Sequence, residues 1–504
     1  MKSHIIIFVV LLMVVTSCDS YLDTPPNKNR SVVPTTTEQL ESLLNEFTQF
    51  DKESNREILL GTDDFGLLSD IYDNANFIYR IYDVHSATWD TDYVPDNIAS
   101  YWPDEWKKIF IANLILADLD KVSGDAAEKA LLKAESHFVR AYSYYQMVNT
   151  FCLPYSEQNK NEPGLPVKQT TSFEESVERS TLEETWKLIL QDLKMALEID
   201  KSFDFVDGKY RNWRASSASV NAFAARVYLC IGDYTNALKY AEIALAEHDE
   251  LIDYNTEMRY SDLDDDITID GQTYELNYPY TRDLQTDPTD RMEWKELYYY
   301  RFLYNSNSWH IPSQSLLDLY DKDFDLRYKY HMVENHSLKR GMTDPVYSYP
   351  GYVFFHFNYL PSGPTVAEMI LIKAECQVRL KDWSSGISTV NILRSVRMDN
   401  QAPSDVINLS AASEDEALRL VLEERRRELP FTQRWIDIRR FNNNDNPNDD
   451  VIIQKTFYPY TNNVIEQSKD PITYTLDKQS RKFARPIPNL DIQVSQGAIE
   501  QNKY

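Results

Sequence analysis

Carboxylates and aromatic rings are the side chains in this sequence with the most evident capacity for chemistry. The 504 residues include 79 Asp and Glu, together with 34 Tyr, 21 Phe and 9 Trp. A glycosidase needs two carboxylates roughly 5 to 9.5 Å apart, and with so many acids the sequence neither identifies nor excludes such a pair. No HExxH, GxSxG, GxGxxG or P-loop motif occurs, and the eight His are scattered. These residues therefore predict no catalytic motif, no metal site and no cofactor.

An arginine-rich block near the C-terminus is the densest cluster of charge. Six Arg lie between Arg425 and Arg440, interleaved with acids and large apolar residues. Arg side chains pair well with carboxylates and cover apolar surface with their stems. We therefore predict a structural clamp rather than a polyanion site, joining the last helix pair to the C-terminal segment. Its predicted members are Arg425, Arg426, Arg427, Arg434, Trp435 and Asp437.

The overall charge argues against a nucleic-acid partner. The chain has 52 Lys and Arg against 79 acids, a formal charge of -27 and a pI near 4.7. Binding to a phosphate backbone depends on Lys and Arg that displace its counterions. We predict no nucleic-acid binding.

The N-terminus predicts export. Lys2 precedes an apolar run from Ile5 to Val15, which is too short to span a bilayer but matches the core of a secretory signal. Cys18 follows small residues, as in a bacterial lipobox, so we predict cleavage before it and its lipidation. An ordinary secretory signal with an incidental Cys is the alternative. The three other cysteines are far apart and are expected to be buried free thiols.

Helix pairs are expected over most of the remaining chain. Only 12 residues are Gly, where average usage of about 7 % would give roughly 35. Apolar stripes at intervals of three and four follow capping signals at Asp125, Ser180 and Ser413. Ala225, Gly232, Tyr234 and Ala237 lie at tetratricopeptide offsets, which recur at Ala374, Lys381, Trp383 and Gly386. We predict a mostly α fold with degenerate tetratricopeptide repeats.

One long stretch does not follow the helical pattern. Residues 249–360 are rich in Asp, Asn and Pro, show little helical periodicity and hold 16 of the 34 Tyr. We predict an irregular, aromatic-rich insertion that packs on the helical scaffold. The chain is thus expected to comprise a signal peptide at 1–17, a lipidated leader at 18–37, an N-terminal region at 38–248 with the first repeats, the insertion at 249–360 and a C-terminal region at 361–504 with the last repeat and the clamp.

Several segments together carry a family resemblance. The most specific is Glu424 to Leu429, followed by Phe431 and by Arg434 to Arg440. The others are Cys18 to Asp23, the helical stretch Pro364 to Met398, Pro486 to Pro488 and Gln501 to Tyr504. Together they resemble the SusD/RagB family, the surface lipoproteins of glycan-degrading Gram-negative bacteria. The resemblance therefore extends over essentially the whole chain after residue 17.

The resemblance implies a surface-exposed, lipid-anchored and non-catalytic protein of the outer membrane. It implies capture of oligosaccharides on a shallow aromatic platform and their delivery to a SusC-like TonB-dependent transporter. Tyr and Trp offer flat apolar surface with a polar edge, which suits sugar rings. Our platform candidates are Trp89 and Tyr93, which precede the first repeat, and Trp294, Tyr298 and Trp309 in the insertion.

Other interpretations remain open at this point. For each candidate aromatic, core or loop packing is the alternative to ligand contact. For the protein, the alternatives are a RagB-like member that binds peptides, a secreted glycoside hydrolase, and a repeat protein that serves only as a protein-interaction scaffold. The sequence does not identify the glycan or peptide, and it leaves open whether an acidic loop binds calcium.

Overall fold

A computed structural model of the chain describes residues 33–93, 101–206, 209–284, 288–307 and 309–504. The signal segment 1–17, Cys18 and most of the leader therefore lie outside the described residues. The prediction of a mostly helical fold is confirmed.

The helices occur in chain order with the following bounds. The N-terminal half contains α1 (Thr37–Leu44), α2 (Phe47–Phe50), α3 (Arg56–Leu60), α4 (Ser69–Asn74), α5 (Ile81–Ala87), α6 (Tyr101–Asp118), α7 (Ala126–Phe151), α8 (Leu182–Ala196), α9 (Ser217–Cys230) and α10 (Tyr234–Glu247). The remainder contains α11 (Gln314–Leu317), α12 (Leu326–His331), α13 (His336–Lys339), α14 (Val366–Arg379), α15 (Trp383–Arg397), α16 (Ser404–Ile407), α17 (Glu414–Glu428), α18 (Arg434–Phe441) and α19 (Asn489–Val494). Short 3₁₀ turns occur at Tyr280–Asp283, Pro288–Glu293, Pro447–Asp449 and Arg481–Phe483.

The strands are short and form small separate sheets. They are β1 (Lys52–Glu53), β2 (Phe205–Val206), β3 (Lys209–Tyr210), β4 (Ile267–Ile269), β5 (Gln272–Tyr274), β6 (Phe302–Tyr304), β7 (Met332–Val333), β8 (Gly351–Tyr352), β9 (Tyr359–Pro361), β10 (Ile453–Phe457), β11 (Tyr460–Thr461), β12 (Val464–Ile465) and β13 (Ile472–Leu476). The β1, β6 and β9 strands form one sheet, with β1 parallel to β6. The other pairs are antiparallel ribbons, among which β10 pairs with β13 and β11 with β12.

The two repeat-like segments fold as equivalent helical hairpins. The turn between α9 and α10 has Gly232 at φ +79°, and the turn between α14 and α15 has Lys381 at φ +74°. The residue after each, Asp233 or Asp382, accepts a hydrogen bond from a backbone N–H of the following helix. Lys381 thus adopts the left-handed conformation for which the first hairpin uses glycine.

Small residues allow the hairpin helices to approach closely. A Cβ added at Gly386 would lie 2.5 Å from Val378 Cγ2 and 2.9 Å from the Ala374 carbonyl oxygen. At the equivalent offset in the first hairpin, Ala237 is fully buried. The α10 helix also packs against α14, so the two hairpins share one apolar core.

The capping signals are confirmed at two of three positions. Asp125 accepts from the Glu128 N–H at 2.8 Å, and Ser413 accepts from the Glu416 N–H at 3.2 Å. The α8 helix begins one residue later than predicted, with Thr181 as its N-cap. Ser180 instead donates from its hydroxyl to the Leu165 carbonyl at 2.7 Å. Ser180 and Thr181 both carry a hydroxyl and both precede a Glu by three residues, so the capping pattern alone did not distinguish them.

Residues 249–360 pack into the protein rather than lying over it. Within their described part no helix exceeds six residues, and six short strands occur. Their aromatic and aliphatic side chains form one buried core with residues 59–87, together with Phe431, Phe457 and Tyr458. Much of the tyrosine excess in this stretch is therefore core material.

Ion pairs surround the arginine-rich block on several sides. Arg425 donates to Asp437 at 2.8 Å, and Arg434 donates twice to Asp63, at 2.8 and 2.7 Å. Arg426 donates to Asp64 at 2.7 Å. These contacts extend beyond the predicted join between the last repeat and the C-terminal segment, because they also include Asp63 and Asp64 of the N-terminal region.

A tryptophan lies at the apolar centre of this arrangement. Trp435 has no exposed surface, and its indole N–H donates to the Asn149 carbonyl in α7 at 3.2 Å. Its ring packs in a small core between α18 and the C-terminal ribbon formed by β10 and β13. This core also contains Trp89, Ile438, Ile453 and Phe483.

We expect Trp435→Ala to lower the free energy of unfolding by about 3 to 5 kcal/mol, because it leaves a cavity and an unpaired carbonyl. Chemical denaturation monitored by circular dichroism would measure the loss. Trp435→Phe, which retains most of the apolar volume, is the matched control and should lose less. Wild-type stability in the Ala variant would contradict a structural role for this residue.

Candidate ligand-binding site

Three partly exposed tyrosine rings come together where the segment after α5 meets the C-terminal ribbons. They are Tyr93, Tyr460 and Tyr474, arranged near the buried ring of His85. Tyr93 stacks on His85 with ring centroids 4.2 Å apart and an angle of 14° between the rings. Tyr460 meets His85 edge-on at 4.6 Å and stacks on Tyr474 at 5.8 Å and 7°. We call these three tyrosines the tyrosine surface.

Polar groups lie at the edges of these rings. His85 Nδ1 donates to Asp90 Oδ2 at 2.6 Å, and His85 Nε2 lies 3.0 Å from Asn463 Oδ1. Burial raises the pKa of Asp90, but the hydrogen bond from His85 and other donors outweigh it and lower that pKa to about 2. The Tyr460 hydroxyl lies 2.9 Å from the Thr88 hydroxyl. The surface thus combines apolar faces with a carboxylate that is ionised at neutral pH.

A tight hairpin presents Tyr460. The β11 and β12 strands are joined by Asn462 and Asn463, which have φ of +49° and +63°. Two left-handed residues define a type I′ turn, for which Asn is among the favoured residues. The turn also directs the Asn463 side chain to His85.

A strained residue positions the other side of the surface. Trp89 has φ +56°, a conformation that bulky residues rarely adopt. Its ring is buried, and its indole N–H donates to the Gly61 carbonyl at 2.8 Å. The anchored ring compensates for the backbone strain, and the chain then continues outward through Asp90 to Tyr93.

A buried lysine attaches the C-terminal ribbon to the N-terminal region. Lys455 in β10 donates to the Leu60 carbonyl, and its ammonium lies 5.2 Å from the Phe65 ring centroid and 5.7 Å from that of Trp89. Burial lowers the pKa of Lys455 to about 7, although Asp63 and Asp64 act in the opposite direction. This attachment holds β10 in place next to the hairpin that carries Tyr460.

Of the five sequence-predicted aromatics, Tyr93 is the one that reaches the surface. Trp89 lies beneath it as an anchor. Trp294 packs against Phe354 at 5.0 Å, and the Trp309 indole N–H donates to the Pro350 carbonyl at 3.1 Å. Tyr298 donates its hydroxyl to the His248 carbonyl. These four rings are at most 3 % exposed, so they act as packing residues and cannot stack on a ligand in this structure.

Sequence reasoning missed His85, Asp90, Tyr460 and Tyr474. A signal for the hairpin was present, since two Asn lie between Tyr460-Thr461 and Val464-Ile465. Nothing in the local sequence indicated that this hairpin contacts α5, almost 380 positions earlier in the chain.

The arrangement suits binding by stacking and hydrogen bonding. A ligand with flat apolar faces and a hydroxyl rim would find rings to stack on and carboxylate, amide and phenol groups to bond. Among the described residues, no group of three or more His, Cys, Asp or Glu is arranged to hold a metal ion. Across that same part of the chain, none of the helices combines the length and apolar character needed to cross a membrane.

Comparisons with known proteins identify relatives of the chain. Residues 20–229 match a SusD-like family model described as starch-binding and associating with the outer membrane, and residues 366–504 match the SusD family model. The chain is 24 % identical over 484 residues to the SusD-like protein P2 of Formosa agariphila, covering 87 % of this chain and 91 % of that protein.

Solved structures share the fold. A putative sugar binding protein from Bacteroides vulgatus superposes with a TM-score of 0.65 at 18 % identity, covering 94 % of this chain and 99 % of the other. A SusD-like carbohydrate binding protein from the same species gives 0.61 at 16 %, covering 92 % and 98 %. A laminarin binding SusD-like protein gives 0.53 at 16 %, covering 93 % and 99 %.

We expect the contribution of Lys455 to the free energy of unfolding to increase as the pH rises above about 7. Its pKa is about 7 when folded against 10.5 for the free side chain, so in this range the unfolded chain binds the extra proton. Its contribution to the free energy of unfolding therefore rises with pH from about 7 to 10.5. Urea unfolding would measure the free energy of unfolding of wild type and of Lys455→Met. Relative to the variant, wild type should gain about 2 kcal/mol between pH 7 and about pH 9. An unchanged difference would contradict the lowered pKa.

Proposed function

The chain belongs to the SusD/RagB family, and on that premise we propose that it captures oligosaccharides on the tyrosine surface without catalysing their cleavage. The observation that carries the proposal is the group of three partly exposed tyrosine rings, two stacked on each other and the third on His85, which Asp90 and Asn463 border. Stacking on C–H faces supplies apolar contact, while the bordering groups read hydroxyl positions.

The charge near this surface favours a neutral ligand. Asp90 remains ionised at physiological pH because its pKa is lowered to about 2. The exposed Asp92 lies close by and donates its backbone N–H to Asp90 at 2.9 Å. Since the whole chain carries a formal charge of -27, a uronate or sulfated glycan would meet repulsion both locally and at long range.

We place the protein on the cell surface at the outer membrane, held by a lipid on Cys18. The supporting observations are the signal-like N-terminus with its lipobox-like Cys and the family description, which includes outer-membrane association. From this position it would deliver bound oligosaccharide to a SusC-like TonB-dependent transporter. More than one acyl chain at Cys18 would give the stable anchoring that a single chain lacks.

Removal of one ring should weaken glycan binding. We expect Tyr460→Ala to lower affinity for a neutral oligosaccharide about tenfold, because one stacking face is lost. Isothermal titration calorimetry against laminari- and malto-oligosaccharides, with oligogalacturonides as the anionic comparison, would measure the effect.

Two variants serve as controls for this measurement. Tyr460→Phe keeps the ring and should keep most of the affinity, and Val464→Ala alters an exposed residue of the same hairpin without removing a ring. If Tyr460→Ala bound every glycan as wild type does, the tyrosine surface would not be the ligand site. Binding of peptides but of no glycan would instead favour the RagB-like mode.

The anchor makes a separate prediction. Cys18→Ser should move the protein from the membrane fraction to a soluble fraction, because the thiol that carries the lipid is absent. Fractionation followed by immunoblotting, with Cys230→Ser as the matched control, would measure the change. Retention of Cys18→Ser in the membrane at the wild-type level would show that this Cys is not the anchor.

A further inference from the structure

A polar cleft of about 520 Å³ opens at one end of the two helical hairpins. It is bounded by the turn between α9 and α10, the C-terminus of α14, the N-terminus of α17 and the loop after α18. Its lining includes Tyr155, Tyr234, Arg379, Asn443, Asn444 and Asn446. The cleft shares none of its lining residues with the tyrosine surface, and its volume is within the range of small-molecule sites.

The cleft lies next to the turns of both hairpins. The left-handed turn at Gly232 and the matching one at Lys381 both border the cleft, and Tyr234 begins the helix after the first turn. A Cβ built at Gly232 would meet no atom within 4 Å, so the space over this turn is open.

The charges within the cleft are balanced. Arg379 donates to Glu375 at 2.7 Å and to Asp449 at 2.6 Å, and Arg440 donates to Glu375 and Asp437. Among the described residues, Nη1 of Arg379 makes no hydrogen bond with another protein atom, which leaves it as a donor toward the cleft. At the rim, Lys381 pairs with Glu414. The cleft therefore offers donors without a net positive charge.

The asparagine loop is held in one shape by its own hydrogen bonds. Asn443 Nδ2 donates to the Arg439 carbonyl at 2.9 Å, and Asn444 Nδ2 donates to Asp449 at 3.0 Å. Asn444 Oδ1 accepts from the Asn446 N–H at 2.6 Å, and Asn446 Oδ1 accepts from the Asn448 N–H at 3.1 Å. A preorganised loop loses little conformational entropy when a ligand binds.

We propose that this cleft is a second binding site, for a short neutral saccharide. Asn443 Oδ1 and Asn446 Nδ2 take no part in the hydrogen bonds that hold the loop, and together they supply an acceptor and a donor for neighbouring hydroxyls. Tyr155 and Tyr234 add partly exposed rings at the wall. The paired arginines and the nearby Glu414 and Asp415 disfavour phosphate, sulfate or uronate. The ligand class follows from the cleft itself and does not depend on the tyrosine surface.

Two substitutions on one loop provide the test. Asn446→Asp keeps the oxygen that accepts from Asn448 but replaces the amide donor at the cleft. Asn448→Asp introduces the same charge on an exposed residue outside the lining and is the matched control. Both are made in the full chain carrying Tyr460→Ala, so that binding at the tyrosine surface is weakened. The probes are maltotriose, laminaritriose and inorganic phosphate at millimolar concentration, titrated by calorimetry, with thermal unfolding as the folding check.

We expect one of the trioses to bind the Tyr460→Ala protein, about tenfold less tightly when Asn446→Asp is added and unchanged when Asn448→Asp is added. Tyr155→Ala should reproduce the Asn446→Asp loss by removing a wall. Equal binding by the Asn446→Asp and Asn448→Asp proteins, no triose binding in the Tyr460→Ala background, or binding of phosphate in place of the trioses would each overturn the proposal. None of these outcomes alters the separate comparison of Tyr460→Ala with wild type.

Discussion

Buried arginines and carboxylates connect helices and loops that are far apart in the sequence. Glu375 in α14 accepts from Arg379 and Arg440, and these cations outweigh burial to hold the pKa of Glu375 well below its usual range. A buried charge whose partner is removed is costly, so such groups tolerate few alternative arrangements. Other pairs of the same block extend to Asp63 and Asp64, so segments that are far apart in sequence are held in a fixed arrangement.

The tyrosine surface depends on that fixed arrangement. The tyrosine surface requires α5 to lie against the β11–β12 hairpin, and neither segment is large enough to define the contact alone. The Trp435 core, in which Trp89 also lies, joins the two regions directly beneath the surface. Stability and recognition are therefore linked through neighbouring side chains, with anchors inside and binding groups outside. Substitution of an anchor such as Trp89 or Trp435 should therefore weaken binding, although neither side chain contacts the ligand.

Local patterns predicted the helical scaffold well, because helix caps and turn residues act over a few positions. Asp125, Ser413 and the equivalent turns at Gly232 and Lys381 all follow from short-range chemistry. Composition was a weaker guide to the site, since a tyrosine-rich stretch serves a core as readily as a surface. Trp294 and its aromatic neighbours in residues 249–360 belong to a buried core. Long-range pairing, such as that of His85 with Asn463, has no local signature at all.

The contrast between Trp89 and Tyr93 shows how finely the distinction between core and surface is drawn. Both are aromatic and only four positions apart, yet one ring is buried and the other is partly exposed. The difference arises from the left-handed backbone at Trp89, which turns the chain outward once the indole has been anchored. Such strain persists only where surrounding contacts over-determine it. Here the Gly61 hydrogen bond and the Trp435 core supply those contacts, so the backbone conformation that exposes Tyr93 is itself a product of the interior.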